Sequence, residues 1–129
     1  MMKNPILNIF NTCENERILC KSIRKTLHLS QRVMAKRLLT SQSYICCFET
    51  GATYRKMRDS EHDRILYNLK IDFEETIVNI GQKIGKEQAY LTVMQVIIEY
   101  LRLSLGKGGK DREAVLRLLK RFQDEFRRL

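Results

Sequence analysis

The run Leu-Ser-Gln-Arg-Val-Met-Ala-Lys-Arg-Leu-Leu-Thr-Ser-Gln-Ser-Tyr-Ile-Cys-Cys-Phe-Glu-Thr-Gly, residues 29–51, reads as two short helices joined by a tight turn. Ser30 and Ser41 each stand where a hydroxyl can accept from the free N–H groups of a first helical turn. Met34, Ala35 and Leu38 form one apolar stripe, Ile45 and Phe48 form another, and Gly51 offers the left-handed conformation that commonly ends a helix. Helices this short do not persist alone in water, so they require a third element. Residues 14–27 supply it, with Ile18, Leu19, Ile23 and Leu27 at helical spacing and Cys20 alongside. A second helix that opens with small polar side chains is also how a chain delivers a helix to the major groove of DNA.

The distribution of charge agrees. The chain has 129 residues and a formal net charge of +9. Ten basic residues (Arg17, Lys21, Arg24, Lys25, Arg32, Lys36, Arg37, Arg55, Lys56 and Arg58) face a single acid, Glu49, between positions 17 and 58, so the whole excess lies on this segment. Concentrated cations around such a motif are the footprint of phosphate binding; a solvated basic face without a partner is the plainer alternative. After the two helices, Thr53, Tyr54, Arg55 and Lys56 lie in a polar loop suited to touching backbone phosphates. Ser60 is positioned to cap a fourth helix carrying Ile65, Leu66 and Leu69, and Asp72 to cap a short fifth one over residues 73–78.

From Arg17 to Val78 the chain resembles the Cro and lambda-repressor type of helix-turn-helix domain, the xenobiotic-response-element family. The matching residues are Ile23-Arg24-Lys25, Leu29-Ser30-Gln31, Ala35-Lys36-Arg37-Leu38, Ser41-Gln42-Ser43-Tyr44-Ile45, Glu49-Thr50-Gly51 and Leu69-Lys70-Ile71-Asp72-Phe73-Glu74-Glu75. The likeness covers about half of the chain and is carried by several motifs in order. It implies an all-α, five-helix, lambda-repressor-like DNA-binding domain over residues 14–78 that binds operator DNA as a dimer. By the same resemblance Gln31, with Arg32 beside it, would hold a phosphate. Gln42, Ser43 and Cys47 would face base edges, Tyr44 would lie nearer the backbone, Ile45 and Phe48 would be core, and Glu49 would partner backbone or a basic neighbour. A Gln amide pairs bidentately with adenine and a Ser hydroxyl serves several bases, so the chemistry suits Gln42 and Ser43.

Three positions depart from the family. Leu39 stands where a turn glycine is usual and must either adopt an unfavourable backbone conformation or reshape the turn. His28 also replaces a frequent glycine. Cys47 takes the place of a long polar side chain, removing a base contact worth about 1–3 kcal/mol of discrimination.

Outside this stretch, residues 1–13 read as an arm with a few apolar anchors, and residues 79–129 as a C-terminal helical oligomerisation segment. Positions 86–105 are apolar on nearly every side and must be covered on nearly every side. Gly106-Lys-Gly-Gly-Lys then leads to a last amphipathic helix, completing a helical hairpin. A symmetric partner is the simplest cover, with Val93, Ile97, Leu101, Leu118, Phe122 and Phe126 at a homodimer interface. Packing of the hairpin onto the chain's own first domain is the alternative.

The four cysteines, Cys13, Cys20, Cys46 and Cys47, lack the paired C-x-x-C spacing of a metal site, and with only His28 and His62 to assist them no metal or other cofactor is expected. Cys20 reads as a small core residue, while Cys46 and Cys47, amid positive charge, admit redox sensing or simple tolerance. No nucleophile-base constellation or phosphate-binding glycine loop is present, and Glu74 and Glu75 point about 100° apart on a helix, so an enzyme is not expected. No apolar run approaches the roughly 20 residues of a membrane span, and the first ten residues are too weakly apolar for a secretory signal. The sequence thus points to a cytoplasmic, nucleoid-associated protein of bacterial or phage type: a transcriptional regulator, a repressor rather than an activator, binding an inverted repeat in double-stranded DNA as a homodimer. The alternative is a protein-interaction module, an antitoxin or phage-type inhibitor whose C-terminal helices bind a partner protein.

Overall fold

The computed structural model describes residues 9, 10, 13, 15–50, 59–105, 117 and 120, and among them the regular structure is entirely helical. Five helices follow in order: α1 (Glu16–Thr26), α2 (Gln31–Arg37), α3 (Gln42–Thr50), α4 (Asp59–Lys83) and α5 (Lys86–Leu105).

The three short helices start and stop by local chemistry. Asn15 caps α1, its side chain accepting from the Ile18 amide at 3.3 Å. The Ser30 hydroxyl accepts from the Val33 amide at 3.1 Å to start α2, and Ser41 does the same for Tyr44 at 3.2 Å to start α3. Both α1 and α2 end in the same device. The amide of Leu29 bonds back to the Arg24 carbonyl and that of Thr40 to the Ala35 carbonyl, each at 2.9 Å, across a left-handed residue. Those residues are His28 (φ 56°) and Leu39 (φ 57°), so the unfavourable conformation is adopted and the turn is not reshaped. For a branched side chain this costs roughly 1–2 kcal/mol. The turn is braced from outside: Asn68 donates to the Leu38 carbonyl at 2.9 Å and Arg64 to the Leu39 carbonyl at 3.2 Å.

Residues 59–83 form one uninterrupted helix, which corrects the expected pair of shorter ones. Ile65, Leu69, Phe73 and Ile77 are buried at a helical period that runs straight through positions 70–72, and no proline or glycine intervenes before Gly81. Asp72 therefore caps nothing. Its carboxylate pairs with Arg37 of α2: Oδ1 accepts from Nε at 3.1 Å, Oδ2 lies 3.0 Å from Nη2 in the ion pair, and Nη2 donates to the Thr76 hydroxyl at 2.6 Å. Ser60, expected as a cap, lies inside α4. The expected domain boundary after residue 78 falls within this helix.

Gly85 (φ 137°) turns the chain from α4 into α5 and gives its carbonyl to the Ala89 amide at 3.2 Å. The bounds of α5 coincide with those read from the sequence. Its partners do not: Ala89, Val93, Val96, Ile97, Tyr100 and Leu101 are buried against α1 and α4, in one core with Leu19, Ile23, Leu69 and Phe73. Val93, Ile97 and Leu101, expected at a homodimer interface, are thus enclosed by their own chain. The reason is geometric, because α1 and α4 present an apolar cleft that a single helix fills. The Tyr100 hydroxyl accepts from the Asn15 amide at 3.2 Å and ties α5 to the start of α1. Leu118, Phe122 and Phe126 lie outside the described residues. Ile9 and Cys13 are buried and Phe10 meets Phe73 edge-on at 6.0 Å, giving the N-terminal arm its anchors.

Candidate nucleic-acid interface

One buried carboxylate ties α3 to both α1 and α2. Glu49 accepts from Arg24 of α1 through Nε at 2.9 Å and Nη2 at 3.0 Å, and from the Gln31 amide of α2 at 3.3 Å. Arg24 also donates to the Leu29 carbonyl at 3.1 Å, so a single guanidinium joins α1, the first turn and α3. A planar fork on a carboxylate fixes direction as well as distance. The Cys20 thiol lies 3.9 Å from the same carboxylate and serves as a weak donor. Burial, with the charge of Glu49 adding to it and that of Arg24 opposing, pushes the Cys20 thiol up to about 12; burial alone does the same for Cys13. Neither is a reactive thiolate at neutral pH.

A further tether comes from α4. The His62 ring stacks on Phe48 with centroids 5.0 Å apart, and its Nε2 lies 2.7 Å from Glu16 in the first turn of α1. With Ile45 and Phe48 buried, the helix turns Gln42, Ser43, Cys46 and Thr50 outward, exposes Tyr44 and leaves Cys47 half-buried. Gln42 and Ser43 thus stand together on the open face. Cys46, not singled out in the sequence for a base-facing place, is more exposed than Cys47. The two lie on either side of Ser43 around the helix, so helical periodicity does not separate them; their neighbours do.

Gln31, expected to hold a phosphate, directs its amide inward to Glu49, while Arg32 one residue on is exposed. The cations divide into two sets. Arg24 and Arg37 are engaged with Glu49 and Asp72. Arg17, Lys25, Arg32 and Lys36 are exposed, and Lys21 is half-exposed on the same four-residue stripe of α1 as Arg17 and Lys25. Thr53, Tyr54, Arg55 and Lys56 lie outside the described residues. The outward face of α3 carries no ionised side chain, since Glu49, the only one in the helix, is buried.

Among the described residues no group of three or more His, Cys, Asp or Glu side chains is placed to hold a metal ion, and no helix is long and apolar enough to cross a membrane. No family model, curated protein or solved structure matches the chain.

Proposed function

We propose that this protein is a sequence-specific DNA-binding transcriptional regulator, a repressor of the Cro and lambda-repressor type, acting on an inverted repeat. In this reading α2 and α3 are the helix-turn-helix, and α3 enters the major groove. Gln42 and Ser43 read base edges, Cys46 and Cys47 line the same face, and Tyr44 and Arg32 reach phosphates. The observation that carries it is the pairing of a small, neutral, hydrogen-bonding face on α3 with exposed cations, Arg32 and Lys36, on the adjoining α2. A neutral face approaches base edges closely, while phosphate contacts supply position and affinity.

Selection of bound sequences from a random duplex pool, followed by fluorescence anisotropy over a range of salt, tests the reading. A defined site is expected, with Gln42→Ala and Ser43→Ala relaxing sequence preference. Arg32→Ala should weaken all duplexes alike and lower the salt slope by about one. Binding no tighter to any selected site than to random duplex at low salt would overturn it.

A second reading, the protein-interaction module, is favoured by the exposed apolar side chains of Ile84, Leu91 and Ile98 along α5 and the joint before it. In that case Ile98→Asp abolishes capture of the partner protein and leaves duplex binding unchanged.

A further inference from the structure

Ile84 (71 % exposed) in the turn before α5, and Leu91 (51 %) and Ile98 (40 %) on its outer face, recur every seven positions and form an apolar seam on the side away from α1 and α4. A line of large apolar side chains on an outer face marks a contact surface. The chain itself continues beside this seam. It leaves α5 at Leu105 with residues 106–129 still to come, and Gly106-Lys-Gly-Gly-Lys is long enough to reverse it across the roughly 8–10 Å between packed helix axes. Beyond that joint Val115, Phe122 and Leu129 repeat the spacing of seven, and Leu118, Leu119 and Phe126 fill the same stripe. Of residues 111–129 the structure describes Arg117 and Lys120. Both are helical and exposed, and helical periodicity puts them on the side opposite the stripe. A helix over 111–129 is about 28 Å long, against about 30 Å for the 20-residue α5.

We propose that residues 111–129 fold back as a helix along the outer face of α5 and cover the seam, so that the chain's own end occupies the surface a protein partner would use. Matching the two repeats antiparallel sets Ile98 against Val115, Leu91 against Phe122 and Ile84 against Leu129. No other antiparallel register gives all three members of the seam an apolar side chain opposite. The same register brings Asp111 to the exposed Arg102, an opposite charge, and leaves Arg117 and Lys120 on the outside. A tether of five residues holds the segment at an effective concentration on the order of millimolar, which favours it over a separate protein at cellular levels. The face that supports the protein-interaction reading is then closed by the chain itself, and a partner reaches it only by displacing the C-terminal segment. The inference rests on neither functional reading and needs no DNA.

The test follows amide exchange in the full chain without DNA. A helix of this length is marginal alone in water, so its amides are protected only when it is docked. Those of Leu118, Leu119 and Phe122 should be protected, and tenfold dilution of the protein should leave that protection unchanged. Leu91→Lys, on an exposed position, should speed their exchange at least tenfold while the α4 core amides stay as they were. Adding Phe122→Glu to Leu91→Lys should slow exchange again, because the introduced charges face each other, whereas adding Val115→Glu should not. Unprotected amides in the parent would show the seam left for a separate partner protein, and protection lost on dilution would show a second copy supplying the cover. Either result overturns the inference. Protection that survives Leu91→Lys, or that fails to return with Phe122→Glu, overturns it as well. Recovery of a defined DNA site in the separate selection would leave the DNA reading standing in all of these cases.

Discussion

Two helices of this protein are held in opposite ways. The helix α3 is only nine residues long; it buries just Ile45 and Phe48 in the core, has the His62 ring against Phe48, and is fixed further by polar contacts that reach out of other elements, Arg24 and Gln31 on Glu49. The twenty-residue α5 is fixed by apolar burial, with Tyr100 and Asn15 adding one long-range hydrogen bond. Apolar contact is strong but non-directional, whereas a forked ion pair is directional and adds little net stability once the loss of hydration is counted. The molecule thus places its strength where the core must close and its direction where a helix must be aimed.

Removing one partner of the buried pair should have the largest effect. Glu49→Ala strands the Arg24 guanidinium, and chemical denaturation should register a loss of about 3–5 kcal/mol. Replacing both Arg24 and Glu49 by methionine should recover most of that stability while α3 loses its fixed direction, so the duplex binding proposed for it should stay impaired. If the double variant bound DNA normally, the contrast between direction and strength would fail. On the other side of the comparison, Ile97→Ala should lose about 2–4 kcal/mol by the same measurement and, on the proposed function, leave the selected DNA site unchanged.

The buried thiols give a pH-dependent version of the contrast. Cys13 and Cys20 are raised from 9.0 to about 12 in the folded chain. Between those values the unfolded chain has released protons that the folded chain retains, so stability falls as pH rises through that window. Urea midpoints should therefore drop as pH rises from about 9 toward 12, and drop less in Cys20→Ala. At neutral pH a thiol reagent should label Cys46 at once and reach Cys13 and Cys20 only on unfolding.

Smallest are the turn effects. Leu39→Gly should raise stability by about 1 kcal/mol, because glycine takes φ 57° freely and the 72 % exposed leucine side chain loses little packing. His28→Gly should gain only a few tenths of a kcal/mol, since histidine tolerates the left-handed region better.

The short helices were legible because their signals are local. Ser30 and Ser41 announce two helix starts, and the caps they predict form within three residues of them. Glu49 was recognisable as a structural residue on the family resemblance, although the choice of Arg24 as its partner spans 25 positions and has no local mark. The continuity of α4 was not legible. Asp72 before Glu74 and Glu75 has the chemistry of a helix start, and only Arg37, 35 positions away, explains why its carboxylate is turned to another helix. For α5 the apolar pattern and the glycines that follow from Gly106 gave both ends, yet a pattern states how much surface must be covered and not what covers it. Cleft and helix become partners only when α1 and α4 are already assembled.

The continuity of α4 has a kinetic consequence. Arg64 and Asn68 brace the turn that carries the strained Leu39, Asp72 and Thr76 hold α2, and Phe73 and Ile77 lie in the core, all on one rod without a joint. Opening the turn means breaking its contacts to the same helix that carries the core residues. The amides of Leu39 and Thr40 should therefore exchange with solvent at the rate of the α4 core amides rather than at the faster rate of a surface turn, and a strained position would be among the slowest places in the chain to let go.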